Sequence, residues 1–326
     1  MNPRRDFVLP LRLLAASLAG LALCECGVPP ATSGAALNGP TNGTPSSASR
    51  DFKFRTIVDR ADRTFNEALG INDSRTVAGY YGSGATDHSS QGYTTVPPFA
   101  QKDFTAENYP GALQTEVTSI NGSGDTAGVW TDNSGAVRGF IDWNGVFTSY
   151  NDPNAAGATE ILGLNDSGIA VGVFVDSYGH LHGFTLNQAT GTFQTIDITG
   201  ATNTTVTGIN DNGDIVGYSS SRSQNVGFLE SSGNFTPVSY PGAVSTMALG
   251  INAHDSVVGG YLDGSGKTHG FLLQNPLNDP QWTSIDDPQG VGTTMLNGIN
   301  DRLNMVGYYV DSGGNTIGVL VERKKM

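Results

Sequence analysis

Four aspartates recur at one offset in short turns that close on glycine: Asp132-Asn133-Ser134-Gly135, Asp176-Ser177-Tyr178-Gly179, Asp263-Gly264-Ser265-Gly266 and Asp311-Ser312-Gly313-Gly314. Asp at the first position and Gly at the fourth suit a type I turn. Hard oxygen donors in Gly-rich loops are also what Ca²⁺ takes, which makes Asp132, Asp176, Asp263 and Asp311 candidate metal ligands, although none of the loops has the carboxylate spacing of an EF-hand. A second set surrounds two insertions in the first repeat unit, at residues 82–91 and 94–103. There Tyr80, Tyr81, His88, Tyr93 and Phe99 offer aromatic faces suited to stacking on a ligand such as a sugar ring. A third set is the carboxylates Asp152, Asp197, Asp286 and Asp287, which could supply an acid and a base for glycosidic chemistry at a central channel.

Motifs that would name a reaction are missing. No G-x-S-x-G, H-E-x-x-H or C-x-x-C occurs. Gly266-Lys267-Thr268 has the ending of a P-loop, but Tyr261 stands at the leading glycine and no helix follows to hold a phosphate. His180 and His182 alternate on one strand and so share a face, but the other histidines, His88, His254 and His269, are scattered over other units. No cofactor is implied beyond the calcium reading.

The elements that must position these residues come from an internal repeat. The triplet [Gly/Ser]-[Ile/Leu]-Asn appears six times, ending at Asn72, Asn121, Asn165, Asn210, Asn252 and Asn300, spaced 42 to 49 residues apart, and a Gly follows seven residues after each. Every unit divides into four short strands, a to d. Strand a leads into the anchor with a Thr four residues before its Gly or Ser in five copies, and strand b carries a β-branched pair, Gly and an aromatic, as in Ile215-Val216-Gly217-Tyr218. Strand c is a Gly-aromatic step in five copies, and strand d opens at Phe104, Phe147, Phe193, Phe235 or Trp282. Four strands in about 45 residues fit a propeller blade. The sixth unit has no strand d of its own, and residues 54–59 before the first unit match it. The predicted fold is therefore all-β: a six-bladed β-propeller over residues 51–326, with four-stranded blades and the last blade closed by the N-terminal strand. The anchor asparagines are expected to set turns, with ligation in six equivalent sites as the alternative.

Residues 1–26 read as an export signal, with Arg4, Arg5 and Arg12 before an apolar run too short to span a bilayer. Leu21-Ala22-Leu23-Cys24 is similar to a bacterial lipobox, with Leu23 at the position of the usual small residue. Two outcomes follow: lipidation at Cys24, giving a lipid anchor, or simple cleavage near residues 24–31. Residues 27–50 contain almost no large apolar side chain and read as a disordered linker. With a net charge of -13, no cationic footprint exists for nucleic acid. Charged residues make up only 14%, and 44 of the 326 residues are Gly, which suits a turn-rich all-β chain.

His182-Gly183-Phe184 and His269-Gly270-Phe271, with Arg138-Gly139-Phe140 in the same slot, the Gly-Ile-Asn anchor and the Val-Gly-Tyr step together resemble the bacterial extracellular HAF-repeat proteins over residues 52–326. Gln91, Val226 and Ile317 depart from the His slot, and a slot that accepts Val and Ile is a poor catalytic position. The resemblance implies a secreted or envelope repeat protein and brings no activity with it. The function expected is a binding or structural module whose ligand is an extracellular glycan or protein. The alternative is a polysaccharide hydrolase or lyase.

Overall fold

The computed structural model describes residues 46–47, 49–221 and 224–324. The export signal, the lipidation candidate Cys24 and most of the expected linker lie outside the described residues. Among the described residues, no helix is long and apolar enough to cross a membrane.

Six antiparallel sheets form in the order a-b-c-d and stand in a ring, a six-bladed β-propeller. The innermost strands are Asn66–Ile71, Gln114–Ile120, Thr159–Leu164, Asn203–Ile209, Ser245–Ile251 and Thr294–Ile299. Strand d of the last blade is Phe52–Ile57, two residues earlier than its sequence pattern suggested. It pairs antiparallel with Thr316–Arg323, from Phe52 opposite Arg323 to Ile57 opposite Gly318. Ser46–Ser47 runs parallel beside Gln281–Ile285, the outer strand of blade 5, so the last residues of the expected linker already belong to a sheet.

The glycine seven residues after each anchor Asn is required by close approach. In all six blades strand a carries a bulge one residue before its Gly or Ser, and this presses the carbonyl three positions before that residue onto strand b. A Cβ at Gly79, Gly172 or Gly259 would stand 1.9–2.0 Å from that oxygen, a distance no side chain can occupy. The glycine of strand c does a different job. At Gly92, Gly139 and Gly183 it makes room for Val117, Ile161 and Val206, which reach across from strand a of the next blade. The core is thereby a series of interblade layers. In the layer that closes the ring, Val306 and Leu320 of blade 6 pack with Ile57, Ala68, Ile71, Val77 and Tyr93.

Asparagine completes the joint. Each anchor Asn is buried, and its Oδ1 accepts the N–H four residues on, that of Thr76, Asp125, Ile169, Asp214, Ser256 or Asn304, at 2.9–3.0 Å. Its Nδ2 donates to the backbone carbonyl of the anchor Asn in the next blade. The circuit runs from Asn72 to Asn121, Asn165, Asn210, Asn252 and Asn300, and back to Asn72, with distances of 3.0–3.5 Å. The turn role was readable in sequence; the ring of interblade bonds was not. Both ends of each side chain are thus engaged within the fold.

Candidate functional site

The Asn circuit lies at the end of the ring formed by the a–b and c–d turns. The opposite face is built from b–c turns and d–a connections, and most of the chemistry-bearing residues gather there.

On that face the turn aspartates bond to their own turns. Oδ1 of Asp132, Asp176, Asp263 and Asp311 accepts the N–H groups two and four residues on, at 2.7–3.0 Å. These bonds hold the four carboxyls below the usual Asp range; hydrogen bonds from Ser134 and from the Lys267 N–H lead at Asp132 and Asp263, and at Asp176 they outweigh desolvation. The second oxygen turns to the neighbouring strand c. Arg138 Nη1 donates to Asp132 at 2.7 Å, and the Nε2 atoms of His182 and His269 lie 3.3 and 3.2 Å from Asp176 and Asp263. The other nitrogen of each histidine faces the carboxylate that follows strand d: Asp197 at 2.9 Å for His182, Asp286 at 3.0 Å for His269. An aromatic from strand b lies against the cation or ring in each case, Trp130 on Arg138, Phe174 on His182 and Tyr261 on His269. His182 is pulled down by burial, but the bonds to Asp197 and Asp176 outweigh it and leave its pKa raised. The slot thus pins the outgoing connection to its own blade, and both ring nitrogens are engaged. Among the described residues no three His, Cys, Asp or Glu side chains converge closely enough to hold a metal ion.

The aromatic set does not form one surface. Tyr80, Tyr93 and Phe99 are buried, at 2%, 1% and 9% exposure, which corrects their expected role as stacking faces. Tyr93 occupies the register of Phe140, Phe184, Phe228 and Phe271, so its place between blades was legible from the repeat. Phe99 tucks under Arg55 and Arg75. Tyr81 is half-buried, and His88 is exposed with Nδ1 3.0 Å from Asp62. The channel carboxylates were also misplaced. Asp197 and Asp286 belong to the histidine pins. Asp152 and Asp287 are buried in the d–a connections, where each donates its N–H to the Thr of the next strand a and caps its own turn. That Thr pin recurs at Thr115, Thr204 and Thr246, with Asn66 taking its place in blade 1.

The carboxylates carried by the innermost strands are instead Glu67, Glu116 and Glu160, each three residues before the anchor Gly or Ser. Blades 4 to 6 place Thr205, Met247 and Met295 there, so the ring is acidic on one half and apolar on most of the other. Tyr80 Oη donates to Glu67 Oε2 at 3.1 Å, while Glu67 Oε1 is buried and meets no donor. Burial, with a contribution from the charge of Glu116, pushes both Glu67 and Glu160 up to about 8. Glu116 is half-exposed, and Ser90 Oγ, from the inserted loop of blade 1, donates to its Oε1 at 2.9 Å. The same loop is tied to strand a of blade 2 through Thr115 N–H to Ser90 O and Gln114 Nε2 to Gly84 O. The signal for this half-ring was present in the repeat, as the single inner-strand position whose residue type changes from Glu to Thr and Met.

Fold and site together define a closed six-bladed propeller with an asymmetric acidic patch on one end of its inner ring. No protein-family model and no curated protein matches the sequence. Among solved structures, the chain is similar to TolB from Acinetobacter baumannii, at 8% identity and a TM-score of 0.53, over 77% of this chain and 64% of that one. It is also similar to a gluconolactonase from Xanthomonas campestris, at 11% identity and 0.48, over 90% and 99% of the chains, and to the Aleuria aurantia lectin, at 10% and 0.47, over 81% and 93%. At 8% identity the TolB likeness speaks to the fold alone.

Proposed function

We propose that this protein is an exported, non-enzymatic propeller of the HAF-repeat kind that binds an extracellular glycan or protein at the channel mouth, on the side of blades 1 to 3. One observation carries the reading: the largest insertion in the repeat and the break in inner-strand symmetry meet at a single point, where Ser90 bonds Glu116. The positions that repeat around the ring, Asn, Thr, Gly and the Asp–His pins, all hold the fold together. What departs from the repeat is therefore where selection for a ligand would act. The lipidation candidate Cys24, if used, would tether the propeller to the envelope.

The hydrolase or lyase alternative rests on Glu160 and Glu67, carboxyls kept neutral near pH 7 beside a third carboxylate, as a general acid would be. A glycan array and a set of secreted-protein baits, probed with residues 46–326 and with Glu116→Gln, separate the readings. Retained ligand that is lost in Glu116→Gln without any product supports binding. Release of cut sugar, abolished in Glu160→Gln, supports the enzyme.

A further inference from the structure

Resting on that binding reading, we propose that the acidic half-ring of Glu67, Glu116 and Glu160 receives a primary alkylammonium group, its methylenes lying toward Met247 and Met295 and its charge toward the glutamates.

Three observations converge. First, Glu67 is 1% exposed, and its Oε1 has no donor. Thr205, at the same strand position across the ring, is equally buried, and its Oγ1 also lacks a partner. Two buried oxygens in one layer without a partner ask for a polar group that the chain does not supply, because buried polar atoms are costly unless bonded. Second, the groups placed to interact with Glu67 are the Tyr80 hydroxyl, which donates to it, the Glu116 carboxylate and the Tyr308 phenol, and Glu160 lies next to Glu116. None of Tyr80, Tyr308 and Glu160 is a cation, so Glu67 and Glu160 stay protonated near pH 7 and a cation brought from outside would favour their ionisation. Third, these carboxyls do not converge as a metal site. An ammonium reaches oxygens about 2.7 to 3.2 Å from its nitrogen, farther than a metal ion does, and its three N–H donors can serve separate oxygens. The other half of the layer is apolar: Met247 pairs across from Gly260, and the missing side chain of Gly260 leaves the space that the Met295 sulfur fills. An ammonium on a flexible alkyl stem matches charge on one side and methylene surface on the other. Glu116, the half-exposed member, marks the way in.

Two sources share this chemistry: a free diamine, and a lysine side chain presented by a protein. Cadaverine and Nα-acetyl-lysine amide are titrated by calorimetry at pH 7 into the wild-type propeller and into Glu67→Gln and Glu160→Gln, in two buffers of different ionisation enthalpy. The expected result is saturable binding that weakens at least tenfold in either variant, with a heat that depends on buffer because neutral glutamic acids give up protons as the ammonium enters. Tighter binding of cadaverine assigns a free amine, and tighter binding of the lysine amide assigns a protein side chain. Absence of saturable binding, or binding that the variants and buffers leave unchanged, overturns the inference, provided each variant melts cooperatively. If array ligands are still lost in Glu116→Gln in that case, the site stands and only its ligand class is wrong. If they are not, both fall.

Discussion

Replacing Asn252 by Ala tests how much the asparagine circuit contributes. The substitution deletes the Nδ2 donor to Asn300 O at 3.0 Å and the Oδ1 acceptor of the Ser256 N–H at 2.9 Å and the His254 N–H at 3.1 Å. His254 is exposed and water can replace its bond, but Asn300 and Ser256 are buried at 4% and 3%. The Ser256 N–H is left unsatisfied, at about 1 to 3 kcal/mol, while the Asn300 carbonyl keeps the Leu303 N–H at 3.0 Å and loses only its second bond, at about 0.5 to 1.5 kcal/mol, or about 1.5 to 4.5 kcal/mol together. For a domain of this size that is a fall in melting temperature of roughly 3 to 8 °C. Asn252→Asp should lose a similar amount, because it keeps the acceptor but sets a carboxylate against the Asn300 carbonyl. Exposed Asn133→Ala is the control and should stay within about 0.5 kcal/mol. Calorimetric or fluorescence melting of the three variants decides it. Were Asn252→Ala to melt with Asn133→Ala, the circuit would be a geometric consequence of the ring and not a cause of its stability.

Further outcomes follow from the same structure. Deleting residues 1–50 should cost little, whereas deleting 1–65 removes buried Phe52 and Ile57, about 1.5 to 3 kcal/mol each, and bares the edge of Thr316–Arg323, so melting should collapse and light scattering should show aggregation. Gly259→Ala should fail to fold, because its Cβ would meet Met247 O at 1.9 Å, while Gly264→Ala, with nothing within 4 Å, should be neutral. Glu67 and Glu160 hold protons in the fold up to about 8, against an ordinary 4.5, so the folded state binds more protons and stability falls as pH rises from about 5 to about 8, then levels. Glu67→Gln should flatten part of that slope. The turn aspartates act in the opposite sense, since their lowered pKa values give stability that is lost as pH falls below the ordinary Asp range, so urea titrations should find an optimum near pH 5. Chelator should leave melting unchanged if the aspartates serve only their turns, and a drop of several degrees would support calcium at Asp132, Asp176, Asp263 and Asp311.

The blade count, the four strands per blade and the closure by the N-terminal strand were legible because one glycine and one asparagine recur at fixed offset, and because the last unit lacks what the first residues supply. Turn function was legible at the aspartates, since Asp and Gly at positions one and four carry local geometry. What escaped reading was whatever depends on residues distant in the chain. Asn252 reaches Asn300, 48 residues away, and His182 reaches Asp197 on the connection beyond strand d. Tyr80 and Phe99 resemble surface aromatics in a long loop until packing buries them. The glutamate half-ring was hidden for another reason: attention to repeated positions passes over the position that stops repeating.

The two halves of the inner ring are expected to differ in function, and one pair of variants tests this directly. Glu116 lies on strand a of blade 2, and exposed Val244 enters strand a of blade 5, on the opposite side of the ring. Affinity for the first ligand recovered from the array should drop at least tenfold in Glu116→Gln and hold within twofold in Val244→Ala, with both variants melting near wild type. Equal losses at the two positions, or none at either, would contradict a binding site on the acidic side.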